Sequence, residues 1–259
     1  MDYKMSESVF ISPNILSEKL SNAEYNRERF APEFKDNFYV HLSDVRMFLD
    51  SYKDDTFERL LDFGCGGSPY RPLFKAKSYI RADHVDCGNL DYMITAEGKI
   101  EMPDNSCDVV LSTQVLEHVI APSKYLSEAF RVLRPGGKLI LTTHGIWEDH
   151  GVPYDFRRWT YDGLNRELEE VGFQVTKLAR LTTGPRAIVF LFAPIIYQLT
   201  DPILSISGWA FRLLRHSRFV DSESRHKWMD RLFAKNRIVY GTEPGHGIYL
   251  GLGIEGLKP

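Results

Sequence analysis

The chain has 259 residues, a hydrophobic content of 43% and a formal net charge of −3. This length and composition suffice for one α/β domain with an elaboration. The weakly acidic balance argues against a general nucleic-acid-binding protein, which normally carries a large basic excess. The three cysteines, Cys65, Cys87 and Cys107, form no CxxC pair, so they predict neither a disulfide framework nor a zinc site. Together with an N-terminus that has no apolar signal core, they indicate a cytoplasmic protein.

The first part of the chain, to about residue 56, is predicted to be helical. Asn14 caps a predicted helix that runs through Leu16 and Leu20 toward Arg29 and ends near Pro32. A second helix carries apolar residues at spacings of three and four, namely Leu42, Val45, Phe48, Leu49 and Tyr52. Neither segment holds a chemical motif, so we predict that residues 1–56 form an N-terminal helical lid.

From Arg59 onward, short apolar runs alternate with helical segments, which predicts parallel βαβ units and a doubly wound sheet. The predicted strands are Leu60–Phe63, Tyr79–Ala82, Tyr92–Ile94, Asp108–Ser112, Lys138–Thr142, Phe173–Thr176 and, near the C-terminus, Gly247–Leu252. The predicted helices lie around Tyr70–Phe74, from Ser123 to the stop at Pro135-Gly136-Gly137, and from Tyr161 to Val171 before Gly172.

A glycine-rich loop, Asp62-Phe63-Gly64-Cys65-Gly66-Gly67, follows the first of these strands. Its glycines allow the backbone to approach a ligand closely and present amide groups to it. Asp62 adds a carboxylate, which suits a ligand that carries an ammonium group. About twenty residues later Asp83 ends the next strand, where a carboxylate can accept hydrogen bonds from both ribose hydroxyls of a nucleoside. The alternative is a tight turn in which Asp62 caps a helix.

A dinucleotide-binding loop is disfavoured by one position. A GxGxxG motif that starts at Gly64 requires glycine at position 69, where the chain has Pro69. A carboxylate such as that of Asp62 would also repel a pyrophosphate. These two features argue against a NAD-dependent oxidoreductase or epimerase.

Four sequence blocks, in this order, resemble the class I S-adenosylmethionine-dependent methyltransferases, specifically the type 11 group. The blocks are LLDFGCGGS (60–68), IRAD (80–83), MPDNSCDVVLSTQVLEHV (102–119) and FRVLRPGGKLILTT (130–143). The resemblance covers residues 59–179. It implies a Rossmann-like α/β fold with a doubly wound seven-stranded sheet whose last strand is antiparallel, preceded by N-terminal helices and with a helical insertion before the last strand.

The resemblance also implies S-adenosylmethionine as the methyl donor, with S-adenosylhomocysteine as the product. In that reading the loop residues Asp62, Gly64, Cys65 and Gly66 bind the methionine part, and Asp83 binds the ribose. The resemblance places three further groups around the donor: His84 at the adenine edge, the Ala96-Glu97 turn near adenine, and Gln114 at the methionine end. Relatives often carry aspartate at the adenine turn, where this chain has Ile94-Thr95-Ala96-Glu97-Gly98. Either Glu97 substitutes for it or backbone groups read the base.

Residues that follow the fourth and fifth strands are the candidates for the acceptor side, because ligands bind at the carboxyl ends of strands in open α/β sheets. A catalytic base is required when the acceptor is a poorly acidic hydroxyl or a protonated amine. The candidate bases are His118, His144 and His150. For each of them the alternative is a structural or surface histidine. The adjacent Glu117 and His118 could bind a divalent ion. No cluster of Asp, Glu and His has the spacing expected of a metal site, however, so no metal is predicted.

The candidate substrate-binding residues are Trp147, Tyr154, Arg157, Arg158 and Trp159. The two arginines suit a phosphate or a carboxylate, or they pair with Asp155 or Glu148 and fix the loop. The block from His150 to Phe173 resembles methyltransferases of cell-surface glycan and sugar-nucleotide pathways. It implies a small-molecule acceptor, a hydroxyl on a sugar, sugar nucleotide or lipid-linked glycan. A non-catalytic cofactor-binding partner protein of the same fold is the alternative from another class.

An insertion over residues 184–239 separates the last two predicted strands and is expected to be helical. Its segment 187–200 is uncharged, and a basic stretch from Arg212 to Arg237 follows. Pro194, Asp201 and Pro202 argue against a membrane-spanning helix. We expect a cap over the active site, a homodimer contact, or a membrane-surface element through residues 187–237 that keeps the protein peripheral to the membrane. The methyltransferase core then comprises residues 57–183 and 240–259.

Overall fold

A computed structural model describes residues 18–95, 97–150, 154–192, 222–241 and 247–259. The helices are α1 (Ala23–Phe30), α2 (Tyr39–Asp50), α3 (Pro122–Val132), α4 (Tyr161–Val171), α5 (residues 184–192) and α6 (Ser222–Leu232). Single 3₁₀ turns lie at Arg71–Leu73, Leu116–His118 and Ala234–Asn236. The strands are β1 (Thr56–Phe63), β2 (Lys75–Asp83), β3 (Tyr92–Met93), β4 (Cys107–Thr113), β5 (Leu133–His144), β6 (Gln174–Thr183), β7 (Ile238–Tyr240) and β8 (Tyr249–Leu257).

The strands form one mixed sheet in the order β3-β2-β1-β4-β5-β8-β6-β7. The first five of these pair in parallel, and β8 runs antiparallel between β5 and β6. The predicted fold class, a Rossmann-like doubly wound α/β sheet with an antiparallel last strand, is therefore confirmed. The sheet has eight strands, against the seven expected, because the end of the insertion adds β7 at the edge beside β6.

The sheet is covered on both faces by apolar side chains. Leu60, Leu61 and Phe63 of β1 are fully buried, as expected of a parallel strand with helices on both sides. On one face α3 and α4 contribute Leu126, Ala129, Leu164 and Leu168 to one cluster. On the other face α2 contributes Val45, Phe48 and Leu49. Chain order reverses between β1 and β4, so the carboxyl ends of these two strands open a crevice suited to a ligand.

The N-terminal region is helical but interrupted. Residues 18–21 are helical, and α1 begins a new helix after Asn22, whose side chain accepts hydrogen bonds from the Glu24 and Tyr25 amides at 2.9 and 3.0 Å. A break at this capping residue thus replaces the single predicted helix toward Arg29, while the predicted cap Asn14 lies outside the described residues. The second predicted helix corresponds to α2.

The insertion is anchored to the core through a buried charge network. Arg186 of α5 donates to both carboxylate oxygens of Asp44 on α2, at 2.9 and 3.2 Å, and both side chains are fully buried. Arg237, which precedes β7, donates to Asp44 at 2.7 Å, and Thr182 of β6 does so at 2.7 Å. Among the described residues no helix is both long and apolar enough to cross a membrane. The uncharged segment after residue 192 and the first part of the basic stretch, residues 212–221, lie outside the described residues.

Candidate active site

A cavity of about 350 Å³ opens at the carboxyl ends of β1 and β4. It is lined on one side by the glycine loop, on another by residues that follow β4 and β5, and it is covered by residues of α1 and α2. The predicted site residues that line it are Gly64, Cys65, Gly66, Asp83, His84, Gln114, His118, His144, Trp147 and His150. The fold thus brings most of the predicted donor and acceptor residues into one cavity.

The glycine loop has a backbone conformation and close contacts that disfavour side chains at the glycine positions. Gly64 and Gly66 have φ values of +80° and +49°, in the left-handed region that favours glycine. A Cβ at Gly64 would lie 2.7 Å from Val115, and one at Gly67 would lie 2.4 Å from the Leu20 carbonyl oxygen. The loop is therefore packed between the turn after β4 and the N-terminal segment, with its amides beside the cavity.

Asp83 anchors this loop and faces the cavity. One of its carboxylate oxygens accepts a hydrogen bond from the Gly66 amide at 2.7 Å, and the other accepts one from the Val85 amide at 3.2 Å. His84, which is exposed, places Nδ1 2.9 Å from Asp83. A carboxylate has about four acceptor positions, so Asp83 keeps capacity for a ligand's hydroxyl groups.

Two of the predicted donor-binding residues do not line the cavity, and a third lies outside the described residues. Asp62 is buried behind the loop, outside the cavity lining, and its Oδ2 accepts a hydrogen bond from the Tyr79 hydroxyl at 2.7 Å. Burial raises the pKa of Asp62 to about 6. Glu97 is exposed and does not line the cavity, and Ala96 lies outside the described residues. Their assigned contacts with the donor stay predictions.

Gln114 connects the two strands that border the cavity with the helix above it. It follows β4 with φ +54°, an uncommon value for a residue other than glycine. Its side-chain amide donates to Thr142 Oγ1 at 3.1 Å, and its Oε1 lies 3.5 Å from Nε2 of His41 on α2. The side chain is thereby fixed at the cavity wall, where strained backbone is often found at functional sites.

A cluster of four histidine rings borders the cavity opposite the glycine loop. The ring of His144 lies 5.1 Å from that of His41 and 4.8 Å from that of His150, and the rings of His150 and His118 are 5.1 Å apart. Trp147 stacks on His144 at 4.7 Å. Burial, together with the neighbouring imidazoles and Arg158, lowers the pKa of His144 well below its ordinary value, so this ring is neutral near pH 7.

Behind this cluster lies Glu117, in the turn after β4. Its carboxylate is fully buried and accepts a hydrogen bond from Thr143 Oγ1 at 2.8 Å. Its Oε1 lies 3.4 Å from His144 Nε2 and 3.9 Å from His118 Nε2. Burial raises the pKa of Glu117.

His118 and His150 are each oriented by a specific partner. His118 Nδ1 donates a short hydrogen bond to the Tyr154 carbonyl, which leaves Nε2 as the acceptor nitrogen of the neutral ring. His150 Nδ1 lies 3.1 Å from Asp155 Oδ2. Arg158 donates to both oxygens of Asp155. Burial by itself would raise the pKa of this carboxyl, but the contacts with Arg158 and His150 lower it to about 2.

The remaining predicted substrate-binding residues serve the loop that follows β5. Arg157 donates to the carbonyls of Val119 and Ile120 at 2.8 and 3.0 Å, and Arg158 donates to the Trp147 carbonyl at 3.2 Å in addition to Asp155. Trp159 is buried. With Tyr154 they do not line the cavity. Arg158 adopts the alternative to anion binding, a pair with Asp155, whereas Arg157 is engaged by the Val119 and Ile120 carbonyls instead of by Asp155 or Glu148.

Two residues of the site escaped the sequence analysis. His41 lies in the cavity wall although it belongs to the N-terminal region. It falls on the apolar stripe of α2, four residues before Val45 and seven before Phe48, so a polar residue on a buried face was the available signal. Asp155 was predicted only as a partner of the arginines. Its position in the sequence, five residues after His150, did not indicate that its carboxylate contacts the His150 ring.

We expect acid to destabilise the protein through His41. Burial lowers the pKa of this ring from 6.5 to about 4, so the unfolded chain binds the proton more readily than the folded chain. The stability contribution is complete above pH 6.5 and is lost as the pH falls toward about 4. Urea unfolding at about pH 7.5 and about pH 5 should show that His41→Gln reduces the stability difference between the two pH values by about 2 kcal/mol.

The exposed His84 supplies the control for this measurement. His84→Gln should keep the wild-type difference between the two pH values. An unchanged difference in His41→Gln would show that other groups cause the acid sensitivity.

The comparison with protein families identifies the central part of this chain. The family described as "Methyltransferase domain" matches residues 61–141, which contain the glycine loop, Asp83 and the β4–β5 region. This agrees with the resemblance to the type 11 group of class I S-adenosylmethionine-dependent methyltransferases. The donor predicted for that class is the one expected for this domain.

Individual relatives agree with the family match. A probable S-adenosylmethionine-dependent methyltransferase of Mycolicibacterium smegmatis is 37% identical over 83 residues, which are 30% of this chain and 32% of that protein. A Mycobacterium tuberculosis protein described in the same words is 32% identical over 148 residues, 51% of this chain and 54% of that protein. The chain thus spans about one third to one half of these relatives.

A solved structure extends the likeness in fold to most of the chain. The S-adenosylmethionine-dependent methyltransferase of Thermotoga maritima superposes with a TM-score of 0.51 at 17% identity, covering 91% of this chain and 99% of that one. At this identity the likeness concerns the fold alone.

Proposed function

From its place among the class I S-adenosylmethionine-dependent methyltransferases of the type 11 group, we propose that this protein transfers a methyl group to a small-molecule acceptor, a hydroxyl on a sugar, sugar nucleotide or lipid-linked glycan. The observation that carries the proposal is the shared cavity. The glycine loop with Asp83 and the histidine cluster with Trp147 line the same space. A donor and an acceptor bound there would meet without leaving the protein, which is the main requirement of an in-line displacement.

The donor side of the cavity fits S-adenosylmethionine. Gly64 and Gly66 give the loop the left-handed backbone that sets it beside the cavity, and the Asp83 carboxylate keeps capacity for the two ribose hydroxyls. Gln114 is fixed at the adjoining wall. S-adenosylmethionine supplies an electrophilic methyl group on a sulfonium, so the remaining task of the protein is to orient the acceptor and remove its proton.

His118 is the residue best arranged to accept that proton. Its Nδ1–H is engaged by the Tyr154 carbonyl, so Nε2 carries the lone pair, and the ring lines the cavity. The buried Glu117 carboxylate, 3.9 Å from Nε2, would stabilise the imidazolium that forms. The other two predicted bases, His144 and His150, have lowered pKa values because of burial, which weakens them as bases.

The acceptor side has an aromatic wall, and the lining of the cavity as a whole includes two cations. Trp147 lies between His144 and Phe190, with ring centroids at 4.7 and 5.5 Å, and it presents a flat face suited to a ring-shaped acceptor such as a sugar. Lys19 and Arg29 line the cavity from the N-terminal segment. An acidic group of the acceptor, such as the phosphate of a sugar nucleotide, would bind these two residues rather than the engaged Arg157 and Arg158.

Methyl transfer from labelled S-adenosylmethionine tests the proposal. The full chain is incubated with a panel of sugars, sugar nucleotides, glycolipids and phenols, and labelled product is measured. We expect turnover with a hydroxyl acceptor, and a kcat about 100- to 10,000-fold lower in His118→Ala, the usual contribution of a general base. Binding of S-adenosylhomocysteine should be unchanged in this variant.

Two results would contradict this function. Binding of a nicotinamide dinucleotide in place of S-adenosylhomocysteine would favour the oxidoreductase alternative. Donor binding without turnover across the panel would favour the non-catalytic partner protein. An active His118→Ala would remove His118 from the proton transfer while leaving the methyltransferase activity in place.

A further inference from the structure

Three ligand-type side chains converge beside the cavity although they are distant in the sequence. One ligand atom each of Glu117, His144 and His150 lies within 4.8 Å of the other two. The carboxylate comes from the turn after β4, and the two rings come from the end of β5 and from the loop that follows it. Two imidazoles and one carboxylate form the donor set of many catalytic zinc sites and of other transition-metal sites with open positions.

We propose that Glu117, His144 and His150 bind a divalent transition-metal ion of the zinc class beside the cavity. The spacing suits such an ion. Metal–ligand distances of about 2.0 to 2.2 Å in a tetrahedral site place two ligand atoms about 3.4 Å apart. Glu117 Oε1 and His144 Nε2 are 3.4 Å apart, and a ligand atom of the half-buried His150 lies within 4.8 Å of a ligand atom of each of the other two residues.

Unsatisfied buried atoms indicate that this cluster lacks a partner. Glu117 is fully buried, and its Oε1 has no hydrogen-bond donor, whereas Oε2 accepts from Thr143. No lysine or arginine nitrogen in the described part of the chain lies within 4.0 Å of this carboxylate; only histidine nitrogens do. A buried carboxylate is costly unless a cation or a proton compensates it.

The surroundings of two of the three ligands, His150 and Glu117, match those of metal-binding side chains. A histidine that binds a metal usually donates its other ring N–H to a carboxylate, which orients the ring. His150 has this arrangement, because Nδ1 faces Asp155 and Nε2 remains free, and Arg158 fixes Asp155 in turn. The Thr143 hydroxyl likewise orients Glu117, because it donates a hydrogen bond to its carboxylate.

A second acidic group in the chain provides a contrast. Glu24, Glu28 and Asp36 also approach one another closely enough for a cation. Arg27 lies among them, 2.9 Å from Glu24, 3.9 Å from Glu28 and 2.7 Å from Asp36, and it already supplies the positive charge. In the described ranges no arginine or lysine nitrogen lies within 4.0 Å of the Glu117 carboxylate, because the nearby Arg158 is paired with Asp155, and the cluster borders the cavity.

A metal ion at this position would act on the acceptor. An oxygen bound to it as a ligand has a lowered pKa, so a hydroxyl acceptor would lose its proton more readily. The proton passes to His118 Nε2, and the oxygen lone pair then forms the bond to the methyl carbon as the carbon–sulfur bond breaks. This role rests on the proposed methyl transfer, whereas the binding of the ion does not.

Metal titration of the full chain tests the site directly. Protein freed of metal by a chelator is titrated with Zn²⁺ by calorimetry and with Co²⁺ by visible absorption. We expect one ion per chain and the absorption bands of Co²⁺ bound to histidine. His150→Ala and Glu117→Gln should each weaken Zn²⁺ binding at least about 10-fold, since even residues that only support a ligand contribute that much.

His84→Ala is the matched control, because His84 also lines the cavity and also lies beside an aspartate. It should bind Zn²⁺ as the wild type does. Absence of stoichiometric binding, or equal binding by wild type and His150→Ala, would overturn the proposal. His150 is half-buried, so its variant remains informative if Glu117→Gln fails to fold. S-adenosylhomocysteine titration of the same samples separates failure of the metal site from failure of the donor site.

Discussion

Replacing Asp83 with alanine is expected to abolish measurable binding of S-adenosylhomocysteine. The carboxylate is predicted to accept both ribose hydroxyls, and it also holds the Gly66 amide at 2.7 Å. Hydrogen bonds to a charged group contribute about 1.5 to 3 kcal/mol each. Loss of two of them corresponds to a weakening of more than about 100-fold, before any displacement of the glycine loop is added.

Calorimetric titration measures this effect, and Asp86→Ala provides its control. Asp86 is an exposed aspartate three residues further on; its Oδ1 accepts from the Gly88 amide at 2.8 Å, and it does not line the cavity. Its variant should bind S-adenosylhomocysteine as the wild type does. If Asp83→Ala retained wild-type affinity in a folded protein, the donor would have to bind elsewhere.

The second large effect is on stability, in Asp44→Ala. Asp44 accepts hydrogen bonds from Thr182, Arg186 and Arg237, and both Asp44 and Arg186 are fully buried. Removing one partner of a buried ion pair typically costs about 3 to 5 kcal/mol, because the other charge stays buried without compensation. The neighbouring Asp230, 2.8 Å from Arg186, places the expectation at the lower end of that range.

Urea unfolding measures this loss, and the same helix offers a matched control. Asp50 pairs with Arg46 at 3.0 Å, but its side chain is 38% exposed. An exposed pair of this kind contributes less than about 1 kcal/mol, so Asp50→Ala should be nearly neutral. Equal losses in the two variants would contradict the importance that burial gives to the Asp44 network.

This network connects the N-terminal region, which lines the cavity, with the insertion. Asp44 joins α2, which carries His41, to α5 and to the residue before β7. Loss of these hydrogen bonds in Asp44→Ala should therefore weaken the packing of α2, which forms part of the cavity wall, and of β7 at the edge of the sheet. The pairing of β7 with β6 could not be predicted, because a three-residue strand has too few positions to show a period.

The donor side was predictable because its signals are local. A buried strand, a glycine loop and an acidic residue at the end of the next strand occupy fixed positions along the chain, and parallel pairing of β1 with β2 brings them together. The order of the sheet follows from the same alternation of strands and helices. Asp62 is the exception, since the tertiary contact with Tyr79 engages its carboxylate.

Sequence alone therefore determined the fold class and the position of the glycine loop beside Asp83. The tertiary structure decided the arrangement of the side chains around the histidine cluster. It brought His41 from the N-terminal helix to His144, placed Glu117 behind that ring, and engaged Arg157 and Arg158 within the loop. The physical reason is the range of the interactions. Periodicity and turn residues report contacts between near neighbours in the chain, whereas the polar partners of a cavity are set by side-chain packing between elements that no local pattern relates.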